Sequence, residues 1–278
     1  MIRIRAMTAE DVPVVLHLRE LAGWNQREAD VRRLLDLEPD GCFLAEWAGR
    51  PAGTATTCVF GPVAWVAMVL VEPALRGRGI GTALMEHALA YLDRRQVPTV
   101  RLDATPLGQP IYEKLGFVTE YRLARYQGKL PAGEPLAQLE PVRPEQLEEV
   151  ARLDREVTST DRRKLLFRLF EERPGEMRMV RRDGRVAGFI SARPGERAVQ
   201  VGPCLADAEA GPLLLADACR RHAGEAVFLD IPEDNRPATA LAAEWGLTVQ
   251  RHLLRMVRGV PIREDVGQLW ASSGPEKG

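Results

Sequence analysis

The chain has 278 residues, 45% of them hydrophobic, with 38 Lys and Arg against 39 Asp and Glu, a formal net charge of −1. That size suits one large domain or two of about 130 residues, and the charge balance excludes a global basic field, so neither nucleic acid nor a membrane surface is expected as a partner. The four cysteines (Cys42, Cys58, Cys204, Cys219) form no CxxC pair, the histidines no HExxH, and no apolar run has membrane-spanning length, so no disulfide framework or metal is expected and the location expected is cytoplasmic.

In chain order, "MIRIRA" reads as a short strand. Thr8 with Asp11 resembles a capping box, and Val12, Val15, Leu16 and Leu21 continue with helical spacing. A second helix is expected over 26–37. "CFLAEW" (42–47) and "AGTATTCV" (52–59) read as strands joined by the turn "AGRP", and the apolar run 64–71 as a central strand buried on both faces. Ile80, Ala83, Leu84, Ala88 and Leu92 define another helix, "TVRLDAT" (99–105) a strand, "PIYEKLG" (110–116) a short helix ended by Gly116, and 117–126 a last strand. The order is mixed α/β.

Residues 127–145, rich in Pro and Gly, read as a linker. Beyond it the pattern repeats at an offset of 135: Pro39, Gly49, Arg50, Ala52 and Gly53 meet Pro174, Gly184, Arg185, Ala187 and Gly188. Farther on, "VEP" (71–73) pairs in text with "VGP" (201–203), and "RLD" (101–103) with "FLD" (228–230). One fold used twice is expected: 1–130, 136–260, and a tail, 261–278.

The stretch "RGRGIGTALMEH" (76–87) sets three glycines and two arginines at the mouth of a helix. Glycines let backbone approach a ligand closely, and free amides at a helix start favour phosphate. No Lys-Ser or Lys-Thr follows a glycine, which excludes a P-loop, and the Rossmann spacing fails at Thr82. The loop R-G-R-G-I-G, its apolar strand, its helix and the ending "IYEKLGF" (111–117) together resemble the GNAT superfamily of N-acetyltransferases, over residues 1–126. The expected fold class is therefore α/β (an α+β mixed sheet), as two tandem GNAT domains.

That resemblance implies acetyl-CoA as cosubstrate. Amides of residues 77–82 (Gly77, Arg78, Gly79, Ile80, Gly81, Thr82) would hold the pyrophosphate, with charge lent by Arg76 and Arg78. The strand end Met68, Val69, Leu70 and Val71 would splay from 99–105 and bind the pantetheine arm along its main chain. An N–H near Val69 or Leu70 would polarise the thioester. Tyr112, four residues before Gly116, stands where many GNAT enzymes protonate the departing thiolate. Asp103 is the first candidate base, with substrate anchoring or a plain arginine pair as its alternatives; Glu46 and Glu72 follow it. Trp24 and Asn25, in "LAGWNQ", are expected to shape the acceptor site, with Trp65 as a further candidate.

In the second copy the text alignment sets Ala206 at Arg76, Asp207 at Gly77 and Glu209 at Gly79, and Ala242 at Tyr112. This copy is expected to be a degenerate, non-catalytic GNAT domain that packs on the first, covering its sheet edge or closing its acceptor cleft, in a monomer or homodimer. The basic run "DRRKLLFRLF" (161–170) is expected to be a solvated helix face. The expected reaction is acetyl transfer to a small-molecule primary amine. The alternatives are a protein lysine or N-terminus as acceptor, and an acyl-CoA sensor without turnover.

Overall fold

A computed structural model of the chain describes residues 1–129 and 139–277. Its first half runs β1 (Ile2–Ala6), α1 (Val12–Leu21), α2 (Glu28–Leu37), β2 (Cys42–Trp47), β3 (Arg50–Phe60), β4 (Val63–Val71), α3 (Ile80–Arg94), β5 (Thr99–Ala104), α4 (Gln109–Lys114) and β6 (Val118–Lys129). The second half runs β7 (Glu140–Pro141), α5 (Leu147–Thr158), α6 (Arg163–Glu172), β8 (Arg178–Arg182), β9 (Arg185–Arg193), β10 (Val199–Ala206), α7 (Ala210–Arg221), β11 (Ala226–Pro232), α8 (Arg236–Glu244), β12 (Thr248–Gly259) and β13 (Leu269–Ala271). The linker expected over 127–145 begins inside β6 and includes β7; its middle, and with it the expected domain boundary, lies outside the described residues.

The Thr8 amide donates to the Asp11 carboxylate at 2.8 Å, as the capping pattern predicts, and Asp11 is also gripped by both terminal nitrogens of Arg5 at 2.7 Å. Helix α3 packs Leu84, Met85 and Ala88 on one face of the sheet, against Ala64, Val66, Val100 and Leu102. Helices α1 and α2 cover the other face with Val15, Leu18, Val31 and Leu34, against Ala67, Met68 and Leu70.

The strand β4 serves both layers because its alternation breaks. Ala64 and Val66 face α3, yet Ala67, Met68 and Leu70 all face α1 and α2, and Val69 and Val71 face α3 again. Such a reversal requires one extra residue in the strand. It is present: Thr54 pairs with Leu70 but Thr56 with Ala67, and Met68 takes a positive φ of 49° while its carbonyl accepts from the Thr54 hydroxyl at 2.8 Å.

The two halves share one sheet of 13 strands, in the order β1-β2-β3-β4-β5-β12-β6-β11-β10-β9-β8-β7, with β13 beside β10. The order at its centre is an exchange. The last long strand of the second half, β12, pairs antiparallel with β5 of the first (Leu254 opposite Ala104), while β6 pairs with β11 (Ala124 opposite Ile231). Each half thus completes the other's sheet, and the edge of β5 is covered by the second copy.

Two equivalent ion pairs close the exchange. Arg255 on β12 grips both carboxylate oxygens of Asp103 on β5 at 2.9 Å, and Arg125 on β6 grips both oxygens of Asp230 on β11 at 2.7 Å. Around Arg255, the Trp65 ring stacks at 4.6 Å, Tyr121 accepts from it at 2.7 Å, and Glu264 joins it to Arg101. Burial alone would push the Glu264 carboxyl up, but Arg101, Arg255 and the Tyr121 hydroxyl bring it down to about 2.

The basic helix departs from the solvated face expected of it. Lys164 on α6 reaches the Leu37 carbonyl at 2.8 Å and Glu38, and Arg168 bonds Asp36 at 2.7 Å, so this face docks α6 onto the end of α2.

Arg255→Ala strands Asp103 as an unpaired buried charge, and urea titration is expected to show a loss of about 3–5 kcal/mol; a loss under 1 kcal/mol would mean the pair does not hold the exchange. Glu264 is ionised more easily folded than unfolded, so its stabilisation is complete above about pH 4.5 and is lost as the pH falls toward 2. The melting temperature is therefore expected to drop below pH 4.5, and Glu264→Gln, less stable at neutral pH, is expected to show a shallower acid fall.

Candidate active site

Strands β4 and β5 run parallel only from Val63 to Trp65, opposite Thr99 to Arg101. Beyond that they diverge, as expected for 68–71, and the wedge between them opens into a cavity of about 660 Å³. One end is lined by Met68, Val69, Leu70, Val71, Arg76 and the loop glycines. The other is lined by Trp24, Gln26, Asp103 and Thr105, together with Arg251, Leu253, Pro275 and Glu276 from the second half.

The glycine loop runs from Glu72 to Gly79 and opens α3. Gly77 and Gly79 sit at φ of 75° and 78°, a left-handed backbone that L side chains rarely adopt, although a Cβ at either would meet no atom. Among the described residues no acceptor is recorded for the amides of residues 77–82, and the helix dipole points its positive end at them. Arg76 lies in the cavity wall, whereas Arg78 turns away to lie 5.6 Å from the Trp47 ring. This cradle of unpaired amides and one cation fits a pyrophosphate.

Tyr112 faces the cavity from α4, and no hydrogen bond of its hydroxyl is recorded among the described residues. Burial pushes its phenol up to about 12, so it holds its proton at neutral pH. Gly108 makes room for the ring: a Cβ there would lie 2.7 Å from Tyr112 Cε2.

Asp103 reaches the cavity wall, but both its oxygens are bound to Arg255, the arginine pairing among its sequence alternatives. Burial raises its pKa and Arg255 opposes the rise. Glu46 bonds Arg5 at 3.0 Å, and Glu72 lies 3.6 Å from His17.

Two acceptor-site expectations are corrected. Asn25 points away from the cavity: its amide donates to the Ala198 carbonyl at 2.9 Å and accepts from the Arg197 and Ala198 amides, pinning the turn between β9 and β10. Trp65 is buried under Arg255 and Arg101 and takes no part in the wall. Trp24 does line it.

The sheet register also corrects the alignment of the second copy. Gly53 pairs with Val71 and Gly188 with Ala206, and the Glu72 and Asp207 amides bond the Ala52 and Ala187 carbonyls. The offset of 135 therefore runs on through β10, and Val71-Glu72 corresponds to Ala206-Asp207, not to Val201-Gly202. The eight residues 72–79 have only three counterparts, 207–209, before α7 begins. The phosphate loop is deleted, not merely substituted. Tyr112 does correspond to Ala242: Phe117 and Leu247 close the same turn onto the two carbonyls.

The second wedge is filled. Strands β10 and β11 pair only from Val199 to Val201, and where they diverge β13 enters, Cys204 opposite Ala271, with the Ser272 amide bonded to the Asp230 carbonyl at 2.9 Å. Trp270 caps the start of α7, its indole donating to the Ala206 carbonyl at 3.1 Å over Gly211, where a Cβ would come within 1.9 Å of the ring.

The comparisons agree with this geometry. Residues 12–117 match the acetyltransferase (GNAT) family and residues 150–271 an acetyltransferase (GNAT) domain. An acetyltransferase of Pectobacterium atrosepticum is 31% identical over 42% of this chain and 87% of its own length.

The chain belongs to the GNAT acetyltransferases.

Its two GNAT domains lie in tandem. The holothin acyltransferase of Pseudoalteromonas sp. (strain SANK 73390) is 23% identical over 264 residues, 92% of this chain and 87% of that one. A crystal structure of a candidate acetyltransferase from Pyrococcus horikoshii covers 100% of the chain and 96% of its own at a TM-score of 0.84 and 26% identity. These relatives carry the same conclusion for the reaction class: the protein is an N-acetyltransferase, from a family that uses acetyl-CoA. Among the described residues no helix is long and apolar enough to cross a membrane.

Sequence reasoning missed Gln26, Arg251, Leu253, Pro275 and Glu276 in this wall. Gln26 adjoins the quoted "LAGWNQ" pair. The other four are more than 140 residues from the glycine loop; the strand exchange brings Arg251 and Leu253 there, and the tail beyond β13 brings Pro275 and Glu276.

Proposed function

We propose that the first copy transfers acetyl from acetyl-CoA to the primary amine of a small molecule, and that the second copy is a non-catalytic wall for the acceptor. The observation that carries this reading is the open wedge that ends on the amides of residues 77–82, unpaired among the described residues, beside a second wedge closed by β13. Those amides and Arg76 would hold the pyrophosphate, and the open edge of β4 over Met68 to Val71 would take the pantetheine amides. Acetyl-CoA, when bound, supplies the activated thioester. An amide near Val69 or Leu70 would polarise its carbonyl.

Tyr112, on the cavity wall, would give its proton to the thiolate leaving group. A phenol held to about 12 is protonated throughout the working pH range, and a thiol of pKa near 8.5 leaves well enough that this proton helps without being essential. Asp103 is not assigned as the base, because its oxygens serve Arg255. Glu276, the other carboxylate in the wall, is shared by Arg193 and Lys277. The amine therefore enters already neutral or loses its proton to water. An acceptor end walled by Trp24 and by residues of the second copy supports a small amine over a protein chain.

Calorimetry is expected to find one acetyl-CoA site per chain and none in Gly79→Glu, which adds a charge and a strained φ to the cradle; two sites would mean the β13 wedge opens. Tyr112→Phe is expected to lower kcat about ten- to a hundredfold with acetyl-CoA affinity unchanged, measured by thiol release, and an unaltered kcat would remove the tyrosine from the chemistry.

A further inference from the structure

The acceptor end of the cavity holds one cation, Arg251, with no direct ion pair among the described residues. Arg251 lies on β12, on the same side as Leu253 and Arg255, directly after a bulge in the pairing with β6 at Val249–Arg251. A bulge of this kind re-aims the side chain that follows it. Its Nε is buried without an acceptor, and no ion pair of Arg251 is recorded among the described residues. The anions nearest in charge are already committed. Asp230 is gripped by Arg125, and Glu276 is shared by Arg193, Lys277 and the Gln26 amide nitrogen. Burial, with Arg125 adding to it, brings the Arg251 guanidinium down to about 10, so it is still charged at neutral pH.

A second polar atom in the same wall is also unpaired. Gln26 donates from Nε2 to Glu276, which fixes the orientation of its amide and leaves Oε1 buried with no donor. A charged donor and a neutral acceptor, both unsatisfied and buried in side chains that line the cavity, are costly unless a ligand that enters the wall pairs with them. Nothing on the wall offers a similar pair at the cofactor end.

We infer that the acceptor amine also carries a carboxylate, and that Arg251 of the second copy binds it, with Gln26 Oε1 receiving an N–H of the same molecule. The substrate class is an amino acid or an aminoacyl compound with a free carboxylate. A planar guanidinium matches a carboxylate through two parallel hydrogen bonds. A phosphate monoester would bring close to two negative charges against the one uncompensated cation present. This inference rests on the proposed acetyl-CoA reading, and it assigns specificity to the half of the chain that lacks its own cofactor slot.

The test uses the full chain with acetyl-CoA and a panel of amino acids beside their own carboxamides, following thiol release. The wild type is expected to favour an acid over its carboxamide by about a hundredfold in kcat/KM, and Arg251→Gln to erase that preference by raising KM for the acid alone. Arg251→Lys is expected to restore part of it, and neither variant to change acetyl-CoA affinity by calorimetry. Equal turnover of acid and carboxamide, or turnover of neither while acetyl-CoA binds, overturns the inference alone. So does an equal loss toward both substrates in Arg251→Gln. Failure of the wild type to bind acetyl-CoA overturns the proposed reaction and this inference with it.

Discussion

The structure depends on two buried arginine–aspartate pairs that lie across the exchange of the last strands. A strand laid beside β5 could come from either half, since β6 and β12 have similar length and alternation. What distinguishes the observed order is that Asp103 meets Arg255 and Asp230 meets Arg125, each pair bidentate and nearly or wholly out of water. Buried pairs contribute little net stability against an apolar alternative, but a buried carboxylate left alone is expensive. The pairs therefore act against the wrong arrangements more than for the right one. Because the exchange places both final strands at the centre of one sheet, neither half has a complete sheet of its own.

The same duplication explains how one copy could lose its cofactor slot without losing its fold. A GNAT wedge is a gap in the ladder, with unpaired strand edges and, in this chain's first copy, a helix start whose amides await a ligand. In the first copy a ligand can satisfy these groups. In the second, the loop is shorter by the difference between 72–79 and 207–209, and β13 and Trp270 satisfy the groups from within the chain. Gly211 stays small because the indole rests on it, a packing reason that replaces the phosphate reason at Gly81, where a Cβ would only touch Val71 at 3.6 Å. The tail then runs on to put Pro275 and Glu276 into the wall of the open cavity.

Much of this was legible in the sequence, for physical reasons that can be named. The 135-residue repeat survived because turns and core positions are held by backbone conformation and packing, and both copies need them. The glycine loop was legible because few local structures want left-handed residues at the mouth of a helix. The strand exchange was not, since local pattern says that a strand is half-buried but not which edge it joins. The mismatch at "VGP" has a similar cause: two letters of three agreed, while the register is set by the ladder from Gly188 to Ala206. Asn25 was placed on the right segment and the wrong side, because one residue of rotation separates the cavity from the β9–β10 turn. Among the residues that line the cavity, Tyr112 and the glycine loop were legible, and the side chains from beyond residue 250 were not.

On the proposed reading, cofactor and acceptor would be recognised by parts of the chain under different constraints. The cofactor end is mostly backbone: amides, a strand edge and glycines whose conformation leaves little freedom to vary. The acceptor end is side chain, and much of it comes from β12 and the tail, which answer to no cofactor of their own. On that reading, a change at Arg251 or Leu253 would alter the cavity wall while leaving the loop, the wedge and Tyr112 where they are, because the Arg255–Asp103 ion pair holds the strand in place. On the proposed reading, a second copy without its own wedge would let acceptor choice vary independently of the chemistry, and a single copy closed by its own last strand would tie the two together.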